Sequence, residues 1–325
     1  MNIKKRIKLY KYYRKLLETT QNKQELFVKG KVIGEGHQGK VYKYCTKDQC
    51  MDNEIAIKKI YLNVKESKYV DNIYDSKALK HGPFIELAAN QLVNQLILQE
   101  ISPHFILMYD YDFEERWGVC ADIYPYKSYF YNEFMDDTET YTDWVSNEHS
   151  DEEWYNAFFQ ITTGIYTLQK YFNMTHLDLH SDNILVKKIK KGGFWSYVID
   201  GETYHLPNLG YQFYIFDFGH AWIPNAFKSW FISQKYKKKQ IHKGFDIFKL
   251  FQSTLYFDTA PKKFKKDVNH LIRKLRKNEP FENTIQELWK DKYPTRTSHK
   301  IINIFNMNKK LVSTLPKELQ HLNIY

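Results

Sequence analysis

The sequence predicts an α+β fold with two lobes, a smaller one rich in strands and a larger one that is mainly helical. Short β-like runs, separated by glycines and polar turns, dominate residues 27–123 and surround one long helical segment, whereas longer helical segments predominate beyond Pro125. The chain has 325 residues, of which 43% are hydrophobic and 26% charged, and this composition suits a globular protein of about two domains. We therefore expect a basic N-terminal helical extension at 1–26, the smaller lobe at 27–123 and the larger lobe at 124–325.

The first segment, 1–26, is basic and carries apolar side chains at the three-to-four spacing of one helix face. Those side chains are Ile3, Ile7, Tyr10, Tyr13 and Leu17. The pattern fits an arm that binds a membrane surface or nucleic acid, but it favours a helix that packs against the body with its lysines in water.

Within the smaller lobe, β-like runs around Val32, Val41 and 55–57 precede a helix at 84–100, which contains neither glycine nor proline. Two more strands are expected around 105–111 and 118–123. In the larger lobe the helical segments are 152–172, 245–256 and 262–277, and a strand-rich stretch from 184 to 218 interrupts them.

Charge and cysteine content limit the classes of function. Lysine and arginine exceed aspartate and glutamate by 48 − 38 = 10, which favours acidic partners, although a bias towards Lys, Ile, Asn and Tyr is typical of an AT-rich genome and weakens that inference. No apolar stretch approaches the roughly 18 residues that a membrane-spanning helix needs, and the basic start without an apolar core is not expected to act as a secretory signal. Three cysteines do not build a disulfide framework, so a reducing, intracellular compartment is expected.

A glycine-rich run, Gly34-Glu35-Gly36-His37-Gln38-Gly39-Lys40-Val41, leads into a β-branched and aromatic stretch. Dinucleotide-binding folds use the same glycine spacing but continue into a helix. Strand, turn and strand is the phosphate-covering loop of a protein kinase, in which backbone amides approach phosphate oxygens without a Cβ in the way. The next strand carries Lys58 between apolar residues, and in the kinase arrangement such a lysine binds phosphate oxygens and a helix carboxylate. Glu86, near the start of the 84–100 helix, is the expected carboxylate, unless it is only a charge favoured by the helix dipole.

Two further motifs follow in order. His176-Leu177-Asp178-Leu179-His180-Ser181-Asp182-Asn183 matches the kinase catalytic loop H-x-D-L-x-x-x-N. Asp178 would orient or accept the proton of the attacking hydroxyl, and Asn183 would hold a magnesium ion. Asp217, followed by Phe-Gly at the end of an aromatic strand, would be the second magnesium ligand.

Together these motifs resemble the protein kinase superfamily over roughly residues 27–260. The resemblance implies ATP and Mg²⁺ as cofactors, phosphate contacts from 34–39, Val41 and Lys58, and adenine against a connector at 120–124. It departs from the usual pattern in three places: Leu177 replaces arginine, His180 replaces lysine, and no Ala-Pro-Glu follows Asp217-Phe-Gly. An Asp-Leu-His loop and a hairpin-bearing insert at 187–212 look like haspin-type kinases, and the segment 243–250 is similar to divergent kinases of poxviruses and other large DNA viruses. By that analogy Asp246 supports the catalytic loop from a buried helix.

The resemblance implies a serine/threonine protein kinase of atypical type that modifies protein substrates, with His180 contacting the γ-phosphate or the substrate. It implies no specific nucleic-acid partner and leaves the oligomeric state unknown. Two alternatives stay open. Aminoglycoside and choline kinases share the H-x-D-L-H-x-x-N loop, and a pseudokinase scaffold would keep the fold without turnover.

Overall fold

A five-stranded antiparallel sheet with strand order β1-β2-β3-β5-β4 forms the smaller lobe. Its strands are β1 (Phe27–Gly36), β2 (Gly39–Thr46), β3 (Gln49–Leu62), β4 (Met108–Glu115) and β5 (Tyr126–Glu133). The main helix, α3 (Gly82–Leu98), is buried along most of its length, and the short α2 (Val64–Ser67) precedes it. The fold is thus α+β and two-lobed in the kinase-like arrangement that the sequence predicts.

The computed structural model describes residues 3–36, 39–46, 49–118, 120–224, 226–227, 244–254, 258–277, 279–293, 301–311 and 319. Two residues of the glycine-rich run, His37 and Gln38, lie outside this described part. No helix among the described residues is both long and apolar enough to cross a membrane.

The strand expected at 118–123 was wrong. Residues 120–123 form a turn, and the last strand of the sheet is β5, which pairs with both β3 and β4. β-branched and aromatic residues lie on both sides of this turn, so local propensity alone did not separate turn from strand. The adenine connector expected at 120–124 was therefore also misplaced, since this segment joins two strands of one sheet. Because β5 belongs to the sheet, we propose that the smaller lobe extends to Glu133 rather than ending at residue 123.

The larger lobe is built around one buried helix, α5 (Asp151–Phe172). The hydroxyl of Ser150 accepts from the amide of Glu153 and the Glu153 carboxylate accepts from the amide of Ser150, which fixes the start of this helix. Asn173, in the left-handed region at φ 48°, ends it. Among the described residues, the other helices of this lobe are α4 (Tyr141–Val145), α6 (Phe245–Thr254), α7 (Lys262–Arg276) and α8 (Phe281–Lys292).

Two small sheets interrupt these helices, as the strand-rich stretch predicts. One contains β6 (Thr138–Thr140), β7 (Ile184–Lys188) and β10 (Tyr211–Ile215), in the order β10-β7-β6. The insert between the catalytic-loop and Asp-Phe-Gly motifs folds into the antiparallel hairpin β8 (Phe194–Ile199) and β9 (Glu202–Pro207). A late strand, β11 (Ile301–Asn306), pairs in parallel with β8.

The N-terminal segment forms α1 (Ile3–Thr19), which packs against the body of the protein. Ile3, Tyr13 and Leu17 are buried in the core, which favours the packed-helix alternative over a free arm. The sequence pattern missed Arg6, which is fully buried on the same face. A basic side chain in such a position needs partners, and these partners lie at the junction of the lobes.

The described cysteines differ in state. Cys45 on β2 is disulfide-bonded, and Cys120 is a free, exposed thiol. A single bridge is still far from the disulfide framework that stabilises small secreted domains.

Candidate active site

Lys58 on β3 forms an ion-pair cluster with one carboxylate from each lobe. Its Nζ lies 2.7 and 2.8 Å from the two carboxylate oxygens of Glu86 on α3, and 3.1 Å from Oδ1 of Asp217, just beyond β10. The side chain of Glu86 is 4% exposed, that of Lys58 13% and that of Asp217 34%, so the cluster opens towards solvent on the Asp217 side. Lys58, Glu86 and Asp217 come from three separate segments of the chain and thus meet at one ammonium group.

Electrostatics hold Lys58 and Asp217 of this cluster in their charged forms. Burial would lower the pKa of Lys58, but the carboxylates of Glu86 and Asp217 raise it above its usual value. Burial would raise the pKa of Asp217, and the Lys58 ammonium lowers it below the ordinary range. Burial raises the pKa of Glu86 to about 7, against the opposing effect of Lys58. Lys58 is therefore cationic and Asp217 anionic at neutral pH, while Glu86 can take up a proton without a large cost.

The described part of the glycine-rich run belongs to the antiparallel hairpin of β1 and β2, with Gly36 opposite Gly39. On its other side β2 pairs with β3, where Val41 lies opposite Lys58, so the hairpin lies beside the strand that carries the lysine. An added Cβ at Gly39 would lie 2.0 Å from the carbonyl oxygen of Lys59, whereas at Gly36 it would meet nothing within 4 Å. Packing thus requires glycine at position 39, but it does not explain glycine at position 36.

Glu35, at the same hairpin, pairs with Lys40 at 2.9 Å on the exposed surface. An ion pair this exposed contributes little to stability. The structure therefore gives Glu35 no contact with the Lys58 cluster beyond its place on the hairpin.

The register of β7 and β10 places Asn183 beside Asp217. Ile184 pairs with Ile215, and the amide of Phe216 donates to the carbonyl of Asn183 at 3.2 Å. The Nδ2 of Asn183 donates to the carbonyl of Asp178 at 2.9 Å, which leaves its Oδ1 to accept from a cation. Asp217 itself has φ 65°, a left-handed conformation that costs a non-glycine residue energy and is concentrated at functional sites.

These residues fit a magnesium ion bound together with a nucleotide. No group of three or more His, Cys, Asp and Glu side chains with metal-ligand geometry occurs among the described residues. Mg²⁺ in phosphate sites needs only one or two carboxylates, because phosphate oxygens and water supply the remaining ligands. The Asp217 carboxylate and the Asn183 amide oxygen, at the neighbouring ends of two paired strands, meet that requirement.

The catalytic-loop motif is held by α6. Both carboxylate oxygens of Asp246 accept backbone amides, from His176 at 2.8 Å and from Leu177 at 2.9 Å. Asp246 is fully buried, and burial raises its pKa despite these hydrogen bonds. Leu177 has φ 62°, so the two hydrogen bonds stabilise a strained turn. The prediction that Asp246 supports this loop from a buried helix is confirmed.

Leu177 also has a packing role. It is 3% exposed and lies with Phe245 and Trp222 in a small apolar cluster of its own. The position that carries arginine in most protein kinases is thus occupied here by a buried apolar side chain, with no cation to bind a phosphorylated loop.

The carboxylates of Asp178 and Asp217 both act on the ring of His220. Burial lowers the pKa of this ring, and the two carboxylates act in the opposite direction. His180 is 41% exposed, with its Nε2 3.8 Å from Asp178 and its Nδ1 3.6 Å from Asp182. These separations exceed hydrogen-bond distance.

A lysine that the sequence reasoning did not consider lies closer to Asp178. The Nζ of Lys249, on α6, donates to Oδ1 of Asp178 and, at 3.1 Å, to the carbonyl of Leu177. Its spacing from Asp246 was a usable signal, because residues three apart lie on the same helix face. Arg6 had a signal of another kind, since the chain has only six arginines among its 48 basic residues and arginine is favoured where a planar fork of donors is needed.

The comparisons with known proteins agree with this geometry. No family model matches the chain. It is 26% identical over 204 residues to the "Putative serine/threonine-protein kinase 019R" of Frog virus 3 (isolate Goorha), which covers 59% of this chain and 23% of that protein. It is 24% identical over 210 residues to the "Probable serine/threonine-protein kinase 380R" of Invertebrate iridescent virus 6, covering 62% of this chain and 38% of that protein. The chain resembles protein kinases of large DNA viruses.

The likeness has limits of extent. This chain spans well under half the length of both viral kinases that it matches. A shorter match, 31% identical over 70 residues, is to the "Uncharacterized protein R403" of Acanthamoeba polyphaga mimivirus. The names and the two-lobed fold together support a kinase-like function.

Proposed function

We propose that the protein is a magnesium-dependent serine/threonine protein kinase that transfers the γ-phosphoryl group of ATP to protein hydroxyls. The observation that carries this proposal is that carboxylate oxygens of both Glu86 and Asp217 lie within 3.1 Å of the Nζ of Lys58. A buried scaffold ion pair needs only one carboxylate, whereas a second, partly exposed carboxylate is useful where a cation is to be held beside phosphate.

The glycine-rich hairpin supplies the phosphate-covering element in this proposal. Gly36 has free space around its missing Cβ, and at Gly34 a Cβ would make only ordinary contact with Val41. Neither glycine has a positive φ. Because neither packing nor backbone conformation requires glycine at these two positions, close approach of a ligand explains both.

Asn183 and Asp217 would hold the magnesium ion, which would supply positive charge to offset the negative charge of the triphosphate. Asp178 would orient the substrate hydroxyl. The hydroxyl oxygen forms a bond to the γ-phosphorus as the bond to the leaving ADP oxygen breaks, and the hydroxyl proton passes to the Asp178 carboxylate. Alignment and charge neutralisation supply most of the rate enhancement in this reaction class.

The test is incubation of the purified chain with labelled ATP and Mg²⁺ beside three acceptors: casein, choline and an aminoglycoside. We expect label on casein serine and threonine, with loss by about 10²–10⁴-fold in Asp178→Asn, the range for a positioned proton acceptor. The melting temperature of Asp178→Asn should stay close to that of the wild type, because the side chain is one-third exposed.

Other outcomes would overturn the proposal. Label on choline or the aminoglycoside alone would indicate a small-molecule kinase. Stabilisation of the chain by Mg²⁺-ATP without transfer to any acceptor would indicate a pseudokinase.

A further inference from the structure

Helix α6 presents two charged side chains, three residues apart, to the catalytic-loop motif. Asp246 accepts the backbone amides of His176 and Leu177, and Lys249 donates to the carbonyl of Leu177 and to the carboxylate of Asp178. One helix thus supplies both a hydrogen-bond acceptor and a donor to the loop. Of these contacts, only the one from Lys249 to the Asp178 carboxylate reaches a side chain that would take part in the reaction.

We infer that Lys249 is the positioning residue for Asp178, in place of a cation within the loop itself. This inference rests on the proposed kinase function. The residue two places after Asp178 is His180, whose nearest ring nitrogen lies 3.8 Å from the Asp178 carboxylate. Within the described part of the chain, Lys249 is the cation with a direct hydrogen bond to that carboxylate. Lys249 lies 71 positions from Asp178 in the sequence, whereas the resemblance gives His180 a contact with the γ-phosphate or the substrate.

The geometry explains how Lys249 would act. An ammonium group that donates to Oδ1 of Asp178 fixes the rotation of the carboxylate, so that Oδ2 is left to meet the substrate hydroxyl. A lysine has three donors, and the contacts to Leu177 and Asp178 use two of them. The positive charge also lies next to the site where the triphosphate would place its negative charge.

A purely structural role explains the observations less well. Helix α6 is already fixed by buried Asp246 and by the core residues Ile247, Leu250 and Phe251. The side chains of Lys249 and Asp178 are 26% and 33% exposed, and a partly exposed ion pair contributes little to stability. The pair is therefore placed where it can affect the reaction and where it adds little to the fold.

The experiment compares Lys249→Met, Lys249→Arg and Lys249→Ala with wild type, using ATP and casein at saturating Mg²⁺. Gln252→Met, an exposed position on the same helix, is the matched control and should keep wild-type activity and melting temperature. We expect kcat to fall about 10²–10³-fold in Lys249→Met, the range for loss of one preorganised charged donor, with KM for ATP nearly unchanged. Lys249→Arg should recover part of kcat, and methylammonium should raise the kcat of Lys249→Ala in a saturable manner.

Rescue by an added amine separates positioning from folding, because a small cation can restore a missing charge but cannot repair a misfolded helix. A kcat of Lys249→Met within about threefold of the wild type would overturn the inference and leave the proposed function intact. A loss of kcat that neither arginine nor methylammonium restores would also overturn it, since a structural role would then suffice. Failure of the wild-type chain to phosphorylate any acceptor would instead count against the proposed function.

Discussion

Two buried ion pairs in this molecule differ in what surrounds them. Arg6 and Glu133 are each 1% exposed, and the guanidinium also donates to the carbonyls of Pro103, at 2.7 Å, and Phe105. Its flat face lies 5.1 Å from the ring centroid of Tyr214. The Lys58 cluster has the same kind of charges, but one of its carboxylates, Asp217, is about one-third exposed.

The difference separates a structural charge from one that is available to a ligand. Arg6 joins α1, the end of β5 and the segment before β4, and its partners are protein groups sealed from water. Lys58 has partners that a nucleotide and a metal ion could displace or share. Similar residue types therefore serve different purposes, and solvent access at one partner distinguishes the two.

The largest expected effect is the loss of stability when the buried Arg6–Glu133 pair is broken. Arg6→Met leaves the Glu133 carboxylate buried without its partner and should lower the free energy of unfolding by about 3–5 kcal/mol. Urea unfolding at pH 7 measures this loss, and nucleotide affinity of the folded fraction should change little. Arg14→Met is the matched control on the same helix: Arg14 is 38% exposed and pairs with Glu18 and Asp110, so its loss should cost about 1 kcal/mol or less.

A double substitution sharpens the result. Arg6→Met combined with Glu133→Leu removes both charges and should recover most of the lost stability, because an apolar pair of similar volume is often as stable as a buried ion pair. An equal loss in Arg6→Met and Arg14→Met would show that burial does not set the value of these pairs.

Breaking the Lys58 cluster should have the opposite effect, with a large loss of activity and a small loss of stability. Lys58→Met should reduce kcat/KM about 10²–10³-fold, since a charged donor to the phosphates is lost. Its stability cost should be only about 1–2 kcal/mol, within the range for one unpaired buried polar group, because Glu86, with a pKa of about 7, can take up a proton. Steady-state kinetics and urea unfolding of one preparation give both numbers. A stability loss as large as that of Arg6→Met, with activity retained, would remove the distinction between the two pairs.

The sequence predicted the parts of the site that have fixed local spacing. The loop around Asp178 and Asn183 and the hairpin around Gly34 and Gly36 could be found because each function depends on residues within a few positions of one another. The spacing of Lys249 from Asp246 indicates a shared helix face. The contact of Lys249 with Asp178 could not be found in this way, because it depends on how α6 packs beneath the loop. The same limit applies to β5, whose place between β3 and β4 is set by pairing across the sheet and not by its own residues.

The smallest expected effect is a pH dependence of the free energy of unfolding that arises from a buried histidine. His104 is buried between the Phe213 carbonyl and the Tyr197 hydroxyl, and burial lowers its pKa to about 3. Between pH 6.5 and 3 the unfolded chain binds a proton at this histidine that the folded chain does not, so stability falls as pH falls. From pH 7 to pH 5 the loss is about 2 kcal/mol, while Glu86, with its raised pKa, acts in the opposite direction. Comparing urea unfolding of wild type and His104→Gln at both pH values isolates the histidine, because Glu86 is common to both proteins. The wild type should lose about 2 kcal/mol more than the variant over this interval, and equal losses would show that the pKa of His104 is the same in the folded and the unfolded protein.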